Sequence, residues 1–265
     1  MEENQSEKIK KPAEGKKKDL VLPIAIVLAA LIIGGAMVYS KGLSTIESAD
    51  SALNTSNSNG VKLEIASDQV FLGKADAPIT IFEFGDYQCP YCRRFHMLAH
   101  LDLVKDYVDS GLAKVVFMDF PLPGHEFAQK ASEAAWCAKD QNKFWEMHDA
   151  LFENSGTTNG LTIDNIIKYA GNLGMDTQIF EQCLNSSKYA ARVQQILEMS
   201  ARLGIQATPT TIITNKPLPL VLDAKAVVAA YQSSNGGIAN LGDSFLIIGA
   251  QPYSTIKSVI DSLVK

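Results

Sequence analysis

The sequence predicts an α/β domain interrupted by a block of helices and preceded by one transmembrane helix. Three stretches carry that reading. Leu20 to Ser40 is an uncharged, apolar run with six Lys shortly before it. Residues 79–119 alternate strand, helix and strand patterns, and residues 126–203 are helical in pattern almost throughout before strands resume.

The apolar run divides the chain. About 20 apolar residues at a helical rise match the roughly 30 Å hydrocarbon core of a bilayer. Lys8, Lys10, Lys11, Lys16, Lys17 and Lys18 favour retention of residues 1–19 as a basic cytoplasmic tail, which puts everything after the run on the far side. A cleaved signal peptide would have a shorter apolar core and a clean small-x-small site, and Val38-Tyr39-Ser40 is a poor one. Residues 20–40 are therefore expected to be a single-pass anchor in the cell membrane, with the remainder extracytoplasmic. Residues 41–60, rich in Ser, Thr, Asn, Ala and Gly, form a flexible tether. The 265 residues are 46% apolar and 20% charged, with a net charge of −5. Residues 1–18 carry six Lys against four Glu, so the remainder, with 18 basic and 25 acidic side chains, is acidic and unsuited to nucleic acid.

The domain spans 61–265. Val70-Phe71-Leu72-Gly73 reads as a short extended piece. Ile79 to Phe84 is a β-branched and aromatic run suited to a buried strand, closed by Gly85-Asp86. Cys89-Pro90 opens a helix to about Val108, and Lys114 to Asp119 is the next strand, a right-handed parallel crossover. After the helical stretch, with breaks at 155–159 and 171–174, strands resume at Thr210–Thr214 and Phe245–Ile248. A helix over about 253–264 ends the chain. This order is a thioredoxin fold with an inserted helical domain (about 126–203). Trp136 and Trp145 are expected in the core of that insertion.

Cys89-Pro90-Tyr91-Cys92 carries the chemistry. Disulfide exchange requires a thiolate, and so a depressed thiol pKa. A cysteine at a helix N-terminus faces unpaired N–H groups and the positive end of the dipole. Cys89 holds that position, and Pro90 suits the first helical position because it has no N–H to leave unpaired. Cys89 is expected as the exposed nucleophile, with Cys92 inward as the resolving thiol. The spacing alone also fits half a zinc site or a plain disulfide. A zinc site needs a second ligand pair, which the widely separated Cys137 and Cys183 do not supply. His96 and His100 follow Cys92 on one helix face, but a metal there would have to recruit the resolving cysteine. They are expected as surface or core-edge residues, and neither metal nor cofactor is expected.

The stretch from Phe82 to Cys92 resembles the active-site segment of DsbA-like thiol–disulfide oxidoreductases. So do Asp119-Phe120-Pro121-Leu122 with His125, Ala134 to Ala138, Lys143 to Phe152, Gly204 to Thr210 and Gly249 to Tyr253, all in the family's order. The resemblance implies Cys89 as nucleophile and Cys92 as resolving thiol. It implies a cis peptide before Pro209 that presents the Thr208 backbone beside the sulfurs, with the Thr208 hydroxyl able to donate to the Cys89 thiolate. It also implies Glu83 as a buried acid that shuttles the Cys92 proton or tunes the two redox states. Some relatives carry a second disulfide in the insertion, for which Cys137 and Cys183 are candidates; two buried free thiols are the alternative.

One segment departs from the family. About 30 residues, 215–244, replace a tight hairpin between the last strands and contain a possible helix from Leu222 to Tyr231 and a Gly-rich turn at Asn235-Gly236-Gly237. They could fold over the site, dock a partner or extend the sheet. The expected activity is introduction or exchange of disulfides in exported proteins, by a monomer reoxidised by a membrane quinone-linked thiol oxidase. A dithiol isomerase or reductase kept reduced by a membrane reductant is the alternative, and a thioredoxin-fold chaperone is a reading from another class. Tyr91 contributes no positive charge beside Cys89, which predicts a milder oxidant than a His there would give.

Overall fold

The computed structural model describes residues 60–264 apart from 235–236. The expected tail, the 20–40 span and residues 41–59 of the tether lie outside these, as do Asn235 and Gly236 of the Gly-rich turn. Among the described residues, no helix is long and apolar enough to cross a membrane.

The chain begins with β1 (Val61–Leu63), β2 (Leu72–Gly73) and β3 (Ile79–Gly85). Every residue of β3 is buried, as expected for a β-branched and aromatic strand covered on both faces. Helix α1 follows, with α-helical turns at Pro90–Phe95 and Leu101–Leu103 and π-helical stretches at His96–His100 and Val104–Val108. The sequence predicts an ordinary helix over this range, and the widened turns are the difference. β4 (Ala113–Asp119) then pairs parallel with β3, from Ile79 opposite Ala113 to Gly85 opposite Asp119.

Five helices form the insertion: α2 (Ala128–Lys139), α3 (Phe144–Asn154), α4 (Ile163–Asn172), α5 (Thr177–Asn185) and α6 (Ala190–Leu203). Trp136 is fully buried among them and Trp145 half-buried. Cys137 and Cys183 are bonded, Cα to Cα 5.8 Å, and so join α2 to α5. Gly204 ends α6 in the left-handed conformation, φ 85°, where a Cβ would meet the Val228 side chain at 2.8 Å.

β5 (Thr210–Thr214), β6 (Leu220–Leu222), α7 (Ala224–Ser233), β7 (Ile238–Asn240), β8 (Ser244–Ile248) and α8 (Tyr253–Leu263) complete the fold. The main sheet has the order β2-β4-β3-β5-β8-β7. Apolar clusters cover both of its faces, Phe82, Phe84 and Val116 on one and Ile79, Ile81 and Ile213 on the other. The 215–244 segment adds β7 to the sheet edge and pairs β6 with β1. Its helix starts at Ala224 rather than Leu222. Leu220–Leu222 is spent on β6, and Asp223 caps the helix by accepting from the Lys225 N–H at 2.9 Å.

Register positions the site. β5 runs antiparallel to β3 with Thr210 opposite Phe84. The residues just after β3 and just before β5 therefore meet at one end of the sheet.

Candidate active site

Cys89 is the N-cap residue of α1, in extended backbone (φ −72°, ψ 122°), with Pro90 next. Its carbonyl accepts the Arg93 N–H at 3.0 Å and its own N–H donates to the Asp86 carbonyl at 3.1 Å, so turn and helix start form one unit. Cys92 lies one turn on and is fully buried, and the Asp86 N–H donates to its Sγ at 3.5 Å. In this dithiol form the Cys89 thiol donates to the Thr208 carbonyl oxygen at 3.6 Å, beneath the cis Thr208–Pro209 peptide.

The expectation of an exposed nucleophile is corrected. Cys89 is only 4% exposed, because the Thr208 loop closes over its sulfur. Pro90 and Tyr91 instead are the open residues of the motif, Tyr91 at 61% exposed.

Burial and hydrogen bonding separate the two thiols. The hydrogen bond from Cys92, outweighing desolvation and helped by Thr208 and the N–H groups of Cys92 and Tyr91, lowers the Cys89 pKa to about 5. Desolvation, with Cys89 as donor-seeking neighbour, pushes Cys92 well above the ordinary thiol value. The Thr208 hydroxyl makes no hydrogen bond of good geometry, yet it lies near enough to both sulfurs to favour their charged forms. One thiol is thus ready to attack or leave as thiolate near neutrality, and the other holds its proton.

Glu83, buried in β3, accepts through Oε2 from His100 Nδ1 at 2.9 Å. Burial alone would lower the His100 pKa, but the Glu83 carboxylate outweighs it and raises it. Among the described residues no hydrogen bond joins Glu83 to Cys92. His96 and His100 are not surface residues: both are fully buried, because α1 packs this face against α3.

Sequence reasoning missed the clamp beneath the motif. Asp86, fully buried, accepts from the Gln88 N–H at 2.7 Å through Oδ1, and from the Leu122 N–H at 2.8 Å and His125 Nδ1 at 2.7 Å through Oδ2. Gln88 Oε1 in turn accepts from the Phe127 N–H at 2.7 Å. An Asp two residues before a polar Gln at a strand end was the available signal. Tyr231 was missed as well. It comes from the 215–244 segment and meets Thr210 Oγ1 at 2.7 Å, while Thr210 donates to the Ala207 carbonyl at 2.7 Å.

Residues 66–230 match the family described as thioredoxin (Thioredoxin_4). The chain belongs to the thioredoxin family. Within it, this is a DsbA-like thiol–disulfide oxidoreductase. It is similar to disulfide bond formation protein D of Bacillus subtilis, 33% identical over 156 residues that make up 56% of this chain and 68% of the relative. The oxidised structure of Bacillus subtilis BdbD is 25% identical, with a TM-score of 0.57 over 78% of this chain and 98% of that one. Wolbachia pipientis alpha-DsbA1, at 22% identity, shares the fold with a TM-score of 0.62, over 76% of this chain and 93% of that one.

Proposed function

We propose that this thioredoxin-family chain is an extracytoplasmic oxidase of exported proteins, held at the membrane through residues 20–40 with its 1–19 tail in the cytoplasm, and working through a Cys89–Cys92 pair. The observation that carries the reading is the asymmetry of the two thiols: Cys89 lowered to about 5, Cys92 raised and buried behind it. In the oxidised protein a substrate thiolate attacks the Cys89 sulfur, the Cys89–Cys92 bond breaks, and Cys92 leaves and takes up a proton. A second substrate thiolate then attacks the substrate sulfur of the mixed disulfide and expels Cys89. The substrate loses two electrons and the pair gains them. A low pKa makes Cys89 a fast leaving group and stabilises the dithiol product, which favours oxidation of the client.

Thr208 and Pro209 present backbone to the client beside the sulfurs, and Glu83, buried below, is the acid that shuttles the Cys92 proton or tunes the two redox states. Reoxidation falls to a membrane quinone-linked thiol oxidase, and the enzyme works as a monomer. Cys89→Ser in the full chain abolishes oxidation of a reduced, unfolded client, whereas Cys92→Ser carrying Cys89 as its mixed disulfide with glutathione accumulates client joined to Cys89 as the client thiolate displaces glutathione. Oxidative turnover that persists in Cys89→Ser overturns the reading. A chaperone role alone predicts client protection unchanged by either substitution.

A further inference from the structure

Beneath α1 sits a second group of reactive side chains that the disulfide chemistry does not use. His96 and His100 come from the π-helical stretch of α1, and His148 and Asp149 from α3. One ligand atom from each lies within 4.8 Å of every other. All three imidazoles are fully buried. A π-helical stretch at this point is itself of interest, because such departures from the α-helix concentrate at functional sites.

Polar satisfaction in the group is incomplete. His148 Nε2 and both ring nitrogens of His96 are buried without a hydrogen-bond partner. Orphaned buried polar atoms are costly and uncommon, and each needs an explanation. Two of the remaining nitrogens are held. His148 Nδ1 meets the Tyr87 hydroxyl at 3.0 Å, and His100 Nδ1 meets Glu83 Oε2 at 2.9 Å, which leaves the Nε2 atoms as the free ends. A hydroxyl or carboxylate on the far nitrogen is how metal-binding imidazoles are oriented and made more basic. Asp149 Oδ1 stands 3.7 Å from His96 Nε2, and its side chain is 46% exposed, which opens the group to solvent.

We propose that His96, His100, His148 and Asp149 bind one divalent transition-metal cation of the zinc class. Three imidazoles and one carboxylate are a donor set for a four-coordinate borderline cation, whereas calcium and magnesium demand mostly oxygen donors. The site needs neither Cys89 nor Cys92, so metal binding and disulfide chemistry are separate. Following the chain outward from Cys92 fails to find it because half of the ligands arrive from α3. Metal bound there would fasten α1, which begins with the redox pair, to the helical insertion.

The test uses the full chain with Cys89–Cys92 oxidised, so that those sulfurs cannot ligate. The protein is loaded with Zn²⁺ or Co²⁺, dialysed, and its metal content measured by mass spectrometry. About one ion per chain is expected, with the intense visible bands of four-coordinate Co²⁺. Asp149→Asn loses affinity, and Tyr87→Phe, which removes only the oxygen behind His148, loses about tenfold or more. His148→Gln abolishes binding; should it misfold, the other two variants decide, with circular dichroism of the apo forms confirming their folds. Failure of the wild-type chain to retain metal, or unchanged affinity in Asp149→Asn and Tyr87→Phe, overturns the proposal and leaves the imidazoles as core packing.

Discussion

The Cys89 sulfur lies 3.6 Å from the main-chain oxygen of Thr208, a residue 119 positions away in the sequence. The pairing of β3 with β5 brings them together, since Phe84 opposes Thr210 and each site residue lies a few positions beyond its strand end. The Cys89 sulfur is consequently roofed by the loop before β5. On the proposed function a client engages that loop to reach the sulfur, so the reactivity of Cys89 and the position of residues 207–210 are one problem.

Alkylation of the reduced protein tests the thiol asymmetry. The Cys89 rate should rise with pH about a midpoint near 5 and level off by neutrality, with Cys92 unlabelled until the protein unfolds. Because the folded pKa lies below the ordinary 9.0, the thiolate stabilises the reduced fold fully above about pH 9. That contribution declines as pH falls and is gone below about 5. A labelling midpoint near 8.5 would contradict the assignment.

Asp119, at the end of β4, is fully buried and accepts from Trp136 Nε1 at 2.7 Å. Burial, only partly offset by that hydrogen bond, raises its carboxyl to about 6 from 3.8. Across that window the folded state holds a proton the unfolded chain releases, so stability falls as pH rises. Asp119→Asn removes the ionisation. It should gain about 2–3 kcal/mol at pH 7 and nothing near pH 3.5, read from urea midpoints. A loss at pH 7 would show that the ionised form is structurally required.

Replacing Cys137 and Cys183 together by Ala frees a loop of 46 residues' separation. Chain entropy sets the cost at about 4 kcal/mol, visible as an earlier urea transition. Cys89 labelling should keep its midpoint, because the bridge joins α2 to α5 and touches neither active-site sulfur. Unchanged stability would contradict a bridging role.

Tyr231→Phe removes the hydroxyl that ties the 215–244 segment to Thr210. The expected loss is about 1 kcal/mol, with faster amide exchange in residues 207–211. No change in exchange there would show that the segment only extends the sheet edge.

The framework of the site was legible where chemistry and local pattern coincide. Cys-Pro-Tyr-Cys marks a helix start by itself, and the run Ile79–Phe84 reads as a buried strand from its β-branched and aromatic composition. Asp86 and His125 were not legible as partners, since a 2.7 Å contact between residues 39 apart depends on where two loops cross. The burial of His96 and His100 was missed for a related reason. Periodicity shows that they share a face, but not that α3 covers it and brings His148. Leu222 was read into a helix although it completes β6, because a three-residue strand pairing with the distant β1 leaves no local signature.

The reduction potential of the Cys89–Cys92 pair, equilibrated against glutathione, tests the central claim most directly. A thiolate stabilised to a pKa of about 5 places the potential well above thioredoxin's about −270 mV, on the side of DsbA's about −120 mV but short of it, as Tyr91 adds no positive charge. A potential near −270 mV would contradict the account and make this chain a reductant.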